Sequence, residues 1–499
     1  MTGEATNASS PVIKIGLRWL SILHRWVGVA ACLLCVMWFT SGLVMMYVPY
    51  PAWTDADRVA TLHPLDASRI AVTPGNAFET ANVPSLPALF RLEMWGSEPV
   101  YRIAGITTSV AVSALDGKLI NAVSVEDARS HLAEMFPGQA IRYEDTVDRD
   151  QWTTTSTFNI HRPLYLFVLD DGAGTEIYVS SHTGEIVQRT TRSTRFWNYL
   201  GSIPHWIYFT AIRSNGELWR QVVMWLSGPV IIVAVAGLWL GIVRLRVLQR
   251  YAHGRITPFR GWLKWHHLSG LIGGLFLTTW IATGWLSVGP FGLFSTLPPL
   301  FGNIPSYYAD QPEPFRLTIA QLRGLLPAGA KDVSFSWLGN EPIAVVSDGK
   351  HRTVARGSDG APLALGDNQI AHAAQRLLPE SRIVLRERLE EEDVYWYSHR
   401  IVRQFPVLRV GFDDPGSTWV HLDPANGKIL SIQDRSQRTY RWVFNLFHDF
   451  DLPILLHNRP LWDLIMWSLI SAGLVISVTG TVIGWRVIRK QVSGQRPSG

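Results

Sequence analysis

Cysteine is nearly absent from this chain: two in 499 residues, Cys32 and Cys35, both inside one apolar run. That excludes a disulfide framework for everything else, even in an oxidising compartment. At Cys-x-x-Cys spacing within hydrocarbon the pair reads as small apolar packing, with a redox role as the alternative. No Gly-x-Gly-x-x-Gly follows a strand pattern and no phosphate-binding loop is present, so the chain is expected to hold neither nicotinamide nor ATP. Charge is also scarce. Asp, Glu, Lys and Arg make up 17% of the residues, and Val27–Val48, Val222–Val243, Leu268–Val288 and Leu464–Trp485 contain none of them. Each run reaches the roughly 20 residues that a bilayer-spanning helix needs.

Four spans are therefore expected. Glycines and Pro229 interrupt them, which membrane helices tolerate, and Trp and Tyr crowd their ends. The loop between the second and third runs carries Arg244, Arg246, Arg250, Arg255, Arg260 and Lys264 without one acidic residue. Positive-inside bias places that loop in the cytoplasm, with both termini beside it. The first apolar run lacks a cleavage site and reads as a retained anchor. The expected order is a cytoplasmic start and first helix (1–48), a periplasmic pair of modules with an interfacial segment (49–218), two helices around the basic loop (219–289), a second such pair (290–460), and a last helix with a cytoplasmic tail (461–499). The formal net charge of +5 belongs to the membrane flanks, so nucleic acid is not an expected partner.

An internal repeat organises the chain. Arg192, Arg195, His205, Trp219, Gly237 and Gly241 recur 243 residues later as Arg435, Arg438, His448, Trp462, Gly480 and Gly484. His24, Gly28, Trp38 and Gly42 recur 242 later as His266, Gly270, Trp280 and Gly284. Each half is thus span, outer modules, span, and both halves enter the membrane in one direction. Their pseudo-twofold axis runs along the membrane normal, so equivalent residues share a depth. The fold class expected is an α-helical membrane protein, four transmembrane helices as a duplicated two-span repeat, with periplasmic α+β modules. Helical spacing covers Val125–Phe136 and Ile370–Leu378; Ala111–Leu115, Glu176–Ser180, Arg352–Gly357 and Thr418–Asp423 read as strands. Turns such as Asp116-Gly117 and Asn426-Gly427 complete a picture of helix plus hairpin, four times over.

The phrase Trp419-Val-His-Leu-Asp-Pro-Ala-Asn-Gly-Lys-Ile-Leu, the opening Leu23-His24-Arg25-Trp26-Val27-Gly28 and the closing Leu461-Trp462-Asp463 with Thr479-Gly480 resemble the PepSY-associated transmembrane family. Similar phrases cover most of the chain. The resemblance implies a bacterial inner-membrane protein tied to iron uptake with PepSY-like modules, of the kind that includes haem-containing reductases releasing iron from siderophores. The chain departs from the family pattern in its length and around the paired histidines, where Arg25 stands against His267 and Trp206 against Asp449.

Two histidine pairs are related by the repeat, His24 with His266 and His205 with His448. The first pair stands near the cytoplasmic ends of its spans and at one depth, where two imidazoles facing each other across the axis can hold one haem from both sides. Gly28 and Gly270, on the same helical faces, leave room for the porphyrin. The plain alternative is a Gly-rich packing face with an interfacial histidine. His205 and His448 lie on the outer side among aromatic residues, where a second haem is expected. No Cys-x-x-Cys-His motif exists, so any haem is expected to be b-type and non-covalent, two in number. His267 and His457 are secondary ligand candidates. Arg195 and Arg438, with Arg192 and Arg435, either pair with propionates or anchor the interface. His161, His182, His351, His399 and His421 read as surface polarity, and Glu390-Glu391-Glu392-Asp393 as a solvated loop. The expected function is electron transfer across the membrane to a periplasmic ferric siderophore or other ferric chelate, from quinol or a cytoplasmic reductase. A PepSY-type binding or regulatory membrane protein is the alternative; an iron-chelate permease suits four spans with few polar residues less well.

Overall fold

The computed structural model describes residues 11–294 and 299–493. Four helices are long and apolar enough to cross a membrane: Pro11–Met45, Gly216–Arg244, Gly261–Leu286 and Arg459–Val492. All four begin before the apolar stretches, and the second and fourth also run past their ends. The second begins where Asn215 accepts the amides of Glu217 and Leu218. The first helix packs on the second and fourth, and the third packs on the same two. First and third are therefore diagonal. Phe39, Leu277, Trp280, Trp462, Met466 and Ile470 form the bundle core. Outward, Ile232, Leu275 and Leu464 stay 60%, 63% and 62% exposed, a surface suited to an apolar solvent.

The chain divides into two compact units. One holds the four long helices together with the segments that lead into the second and fourth of them from Trp197 and Thr439; the other holds Tyr50–Phe196 and the region up to Arg438. The stretches expected to lie at the interface thus group with the long helices.

In the second unit, Leu89–Trp95 pairs antiparallel with Asp332–Leu338, its equivalent 243 residues on. Glu98–Ala104 and Glu341–Ser347 flank this central pair, then Ser109–Ser113 and Arg352–Arg356, with Leu119–Ile120 at one edge. The two halves therefore share one seven-stranded sheet. Hairpins close at Gly96 and Gly339, both at φ 59, which a tight two-residue loop demands. Helices Pro74–Ala81 and Ile319–Gly324 contribute to the core built on Phe90, Leu92, Tyr101, Phe335 and Trp337.

The remaining modules each contain a four-stranded sheet rather than the expected hairpin. Ile141–Val147, Leu164–Leu169, Glu176–Ser180 and Ile186–Thr190 form one. Ile383–Leu389, Val407–Phe412, Trp419–Leu422 and Ile429–Gln433 form the other. Helices Val125–Met135 and Asp367–Ala374 accompany them. The edge strands Ile141–Val147 and Ile383–Leu389 escape a sequence reading because they are mostly exposed and charged, the composition that discourages edge-to-edge pairing.

A buried charge cluster lies at the joint of the seven-stranded sheet. Glu93 meets Arg58 at 2.7 Å, Arg91 at 2.8 Å and Arg102 at 3.0 Å, while Arg58 also binds Asp332 at 2.7 Å. Burial alone would raise the Glu93 carboxyl, but the three guanidinium groups hold it down at about 2.

Candidate functional site

His24 on the first long helix and His266 on the third face each other across the diagonal of the bundle, ring centres 6.2 Å apart and planes tilted by 41°. Nδ1 of His24 lies 3.0 Å from the Val233 carbonyl oxygen, and Nδ1 of His266 lies 3.1 Å from that of Ile476. A carbonyl can only accept, so Nδ1 carries the proton and donates. The lone pair is then on Nε2. Glycine makes this reach possible. A Cβ at Gly237, one turn beyond Val233, would sit 2.5 Å from His24 Cε1; at Gly480, one turn beyond Ile476, it would sit 3.2 Å from His266 Cε1.

His205 and His448 come from the short helices Ser202–Trp206 and Leu446–Asp449. Their ring centres are 6.3 Å apart and their planes cross at 73°. Nδ1 of His205 lies 3.1 Å from both the Trp38 carbonyl and Ser41 Oγ; Nδ1 of His448 lies 2.9 Å from Thr283 Oγ1. Ser41 already donates to Met37 O and Thr283 to Thr279 O, so both hydroxyls accept from the imidazoles. Ser41 and Thr283 differ by the repeat offset of 242. The backbone turns left-handed two residues after each histidine, at Ile207 (φ 55) and Phe450 (φ 50). That conformation is costly for a β-branched residue such as Ile. Indole N–H groups staple each turn to the following long helix: Trp219 donates to Trp206 O at 2.7 Å and Trp462 to Asp449 O at 2.9 Å.

Both pairs have the ring separation that a haem held from two sides requires. A first-row metal binds an imidazole nitrogen at about 2.0–2.1 Å, so two rings on opposite sides of one metal have centres roughly 6 Å apart. Gly28 and Gly270, one turn beyond His24 and His266, have space beside them: a Cβ at Gly270 would meet nothing within 4 Å, and at Gly28 only Val233 Cγ1 at 3.6 Å. Among the described residues no group of three or more His, Cys, Asp or Glu is placed so that it could hold a metal ion. Each pair offers two imidazole nitrogens, fewer donors than a bare metal ion takes from protein alone.

The other candidates fall elsewhere. His267 is buried, with Nε2 2.9 Å from the Gly241 carbonyl and its ring edge-on to Phe259. His457 is exposed at the end of Pro453–Leu456. Arg195 is engaged by Glu176 at 3.2 Å and by Thr190 Oγ1 at 2.8 Å. Arg438 donates to Gln433 O and Ser417 O and lies over Trp419. Both belong to the sheet unit. Cys35 is buried in the bundle core, and Cys32 Sγ would touch a Cβ at Gly480. The acidic run is solvated only in part, since Asp393 binds Arg409 at 2.7 Å.

His421 corrects the expectation of surface polarity. It is fully buried, accepts from Arg409 Nε at 2.9 Å and stacks on Trp396. Burial and the adjacent Arg409 lower its pKa to about 3. Its alternation in Trp419–Leu422 puts it on a covered face, which composition alone does not reveal.

Compared with known proteins, the chain matches no family model and no curated relative.

Proposed function

We propose that this chain is a b-haem reductase of the bacterial inner membrane, passing electrons outward to a periplasmic ferric siderophore and so releasing its iron. The observation that carries the reading is the twofold pair of histidines, each pair with ring centres just over 6 Å apart and every Nδ1 tied to a neighbouring helix. When bound, two haems would supply one-electron transfer. His24 and His266 hold the inner group, His205 and His448 the outer one. The Nδ1 hydrogen bonds fix the tautomer and raise the basicity of Nε2, as outer-shell partners do at metal-bound histidines. The Gly28 and Gly270 faces accommodate the macrocycle.

Gly42, whose Cβ would lie 3.2 Å from His205 Cε1, is eighteen residues from His24. At 1.5 Å per residue this is about 27 Å along the helix, close to the roughly 30 Å thickness of a bilayer core. The pairs thus suit opposite faces of one membrane, with both termini cytoplasmic and the sheet unit periplasmic. Ferric iron in a hard oxygen chelate becomes ferrous on accepting one electron and is then held less tightly. Quinol or a cytoplasmic reductase supplies that electron.

The test is the absorption spectrum of detergent-purified protein, oxidised and then dithionite-reduced, with haem supplied during expression. A low-spin Soret shift and a sharp α-band are expected, diminished by about half in His24→Ala or His205→Ala. A colourless protein from a host that loads a control haem protein would overturn the reading in favour of a PepSY-type binding or regulatory protein.

A further inference from the structure

The two histidine pairs share their spacing but not their ring geometry: the planes cross at 41° in the His24–His266 pair and at 73° in the His205–His448 pair. A cause for the second angle stands beside His448. Phe444 stacks on it at 4.8 Å and 15°, and Tyr440 stacks on Phe444 at 4.9 Å and 16°. The three rings lie at i, i+4 and i+8, in register through the wide π-helical turn Arg441–Asn445. The first half has no aromatic residue at the position equivalent to Phe444. The equivalent position is Gly201, where even a Cβ would lie 2.9 Å from Val44 Cγ1.

We propose that Phe444 is a positioning residue that holds the His448 imidazole nearly perpendicular to that of His205, making the outer haem centre distinct from the inner one in spectrum and in reduction potential. This rests on the reading of both pairs as axial ligands. An imidazole donates π density into the metal d orbital selected by its ring plane. Parallel planes load one orbital and split the pair of dπ levels. Crossed planes load both and leave the levels nearly equal, which gives a highly anisotropic low-spin ferric signal and removes a stabilisation of the ferric state. The ligand planes therefore act through the axial-ligand lever on haem potential. The outer centre becomes the better electron acceptor, and transfer outward runs downhill.

Electron paramagnetic resonance of the oxidised protein, joined to a potentiometric titration, tests this. The wild type is expected to show two low-spin signals, one highly anisotropic and one rhombic, with two separable potentials. Phe444→Leu should keep both haems while turning the anisotropic signal rhombic and moving only the higher potential downward. Phe444→Tyr, which retains the stack, should restore both. Two identical rhombic signals in the wild type, or no change in Phe444→Leu, would overturn the proposal. Should Phe444→Leu empty the outer site, Tyr440→Leu must still shift the anisotropic signal; if that signal stays put, the proposal fails. Absence of any haem band on dithionite reduction is a separate outcome, which overturns the ligand reading and this inference with it.

Discussion

Each inner histidine reaches a carbonyl of the adjacent helix because that helix has glycine where a side chain would intervene. Gly237→Ala places a methyl 2.5 Å from His24 Cε1, a separation at which the ring must move. We expect the haem content, measured as the pyridine haemochrome, to fall by about half, with the outer centre retained. Gly28→Leu addresses the macrocycle instead. Its Cβ meets only Val233 Cγ1, at 3.6 Å, and the rest of the side chain fills the adjoining space, so the protein should purify in normal yield but with the inner centre missing. Full haem loading in both variants would count against the inner site. Glu93 offers a prediction independent of haem. Its carboxyl is held at about 2 in the fold against an ordinary 4.5. A depressed acid stabilises the fold above its unfolded pKa and loses that contribution as pH falls through the folded value. Thermal unfolding should therefore show stability declining between about pH 4.5 and 2, less steeply in Glu93→Gln. Because that variant leaves three buried guanidinium groups short of a partner, it should cost about 3–5 kcal/mol at neutral pH.

Among the elements, the long helices were legible because apolar runs of membrane length have few other readings, and the repeat drew the four histidines into pairs. The Nδ1 acceptors were not legible. Val233 and Ile476 act through backbone carbonyls, which every residue carries, and the recurring Gly237 and Gly480 pointed to close packing without saying against what. Ile141–Val147 and Ile383–Leu389 were missed because exposed, charged edge strands lack the alternation that marks a half-buried strand. The joint between Leu89–Trp95 and Asp332–Leu338 was hidden for another reason: it pairs segments 243 residues apart, and its charged side chains are buried by one another. The staple formed by Trp462 can be tested as an element. Trp462→Phe keeps an aromatic ring but removes the N–H donated to Asp449 O, a loss of about 1 kcal/mol. The turn carrying His448 should loosen, and haem should dissociate faster from the outer centre only, as followed by transfer to apomyoglobin.

For the whole molecule, every shared feature takes one part from each half: both histidine pairs and the central pair of the seven-stranded sheet. The halves are joined covalently through the loop around Ala252–Gly254. Expressed as separate chains, 1–252 and 253–499 should co-purify and regain the absorption spectrum when made together. Either one made alone should not yield the full two-centre spectrum; a half that did would show that the pairing across halves is dispensable.

The register at the sheet joint has a consequence for how such a chain can arise. Arg91 lies opposite Ser334, and these positions are themselves repeat equivalents, so they sit on the local axis. In a homodimer of half-length chains, whatever residue occupies that point must face its own twin. Arginine there would meet arginine, and like charges directly opposite in a ladder repel. Joining two genes end to end lifts the constraint. Ser334 takes one side, Arg91 turns to Glu93 and Glu185, and the axis carries one arginine instead of two facing each other.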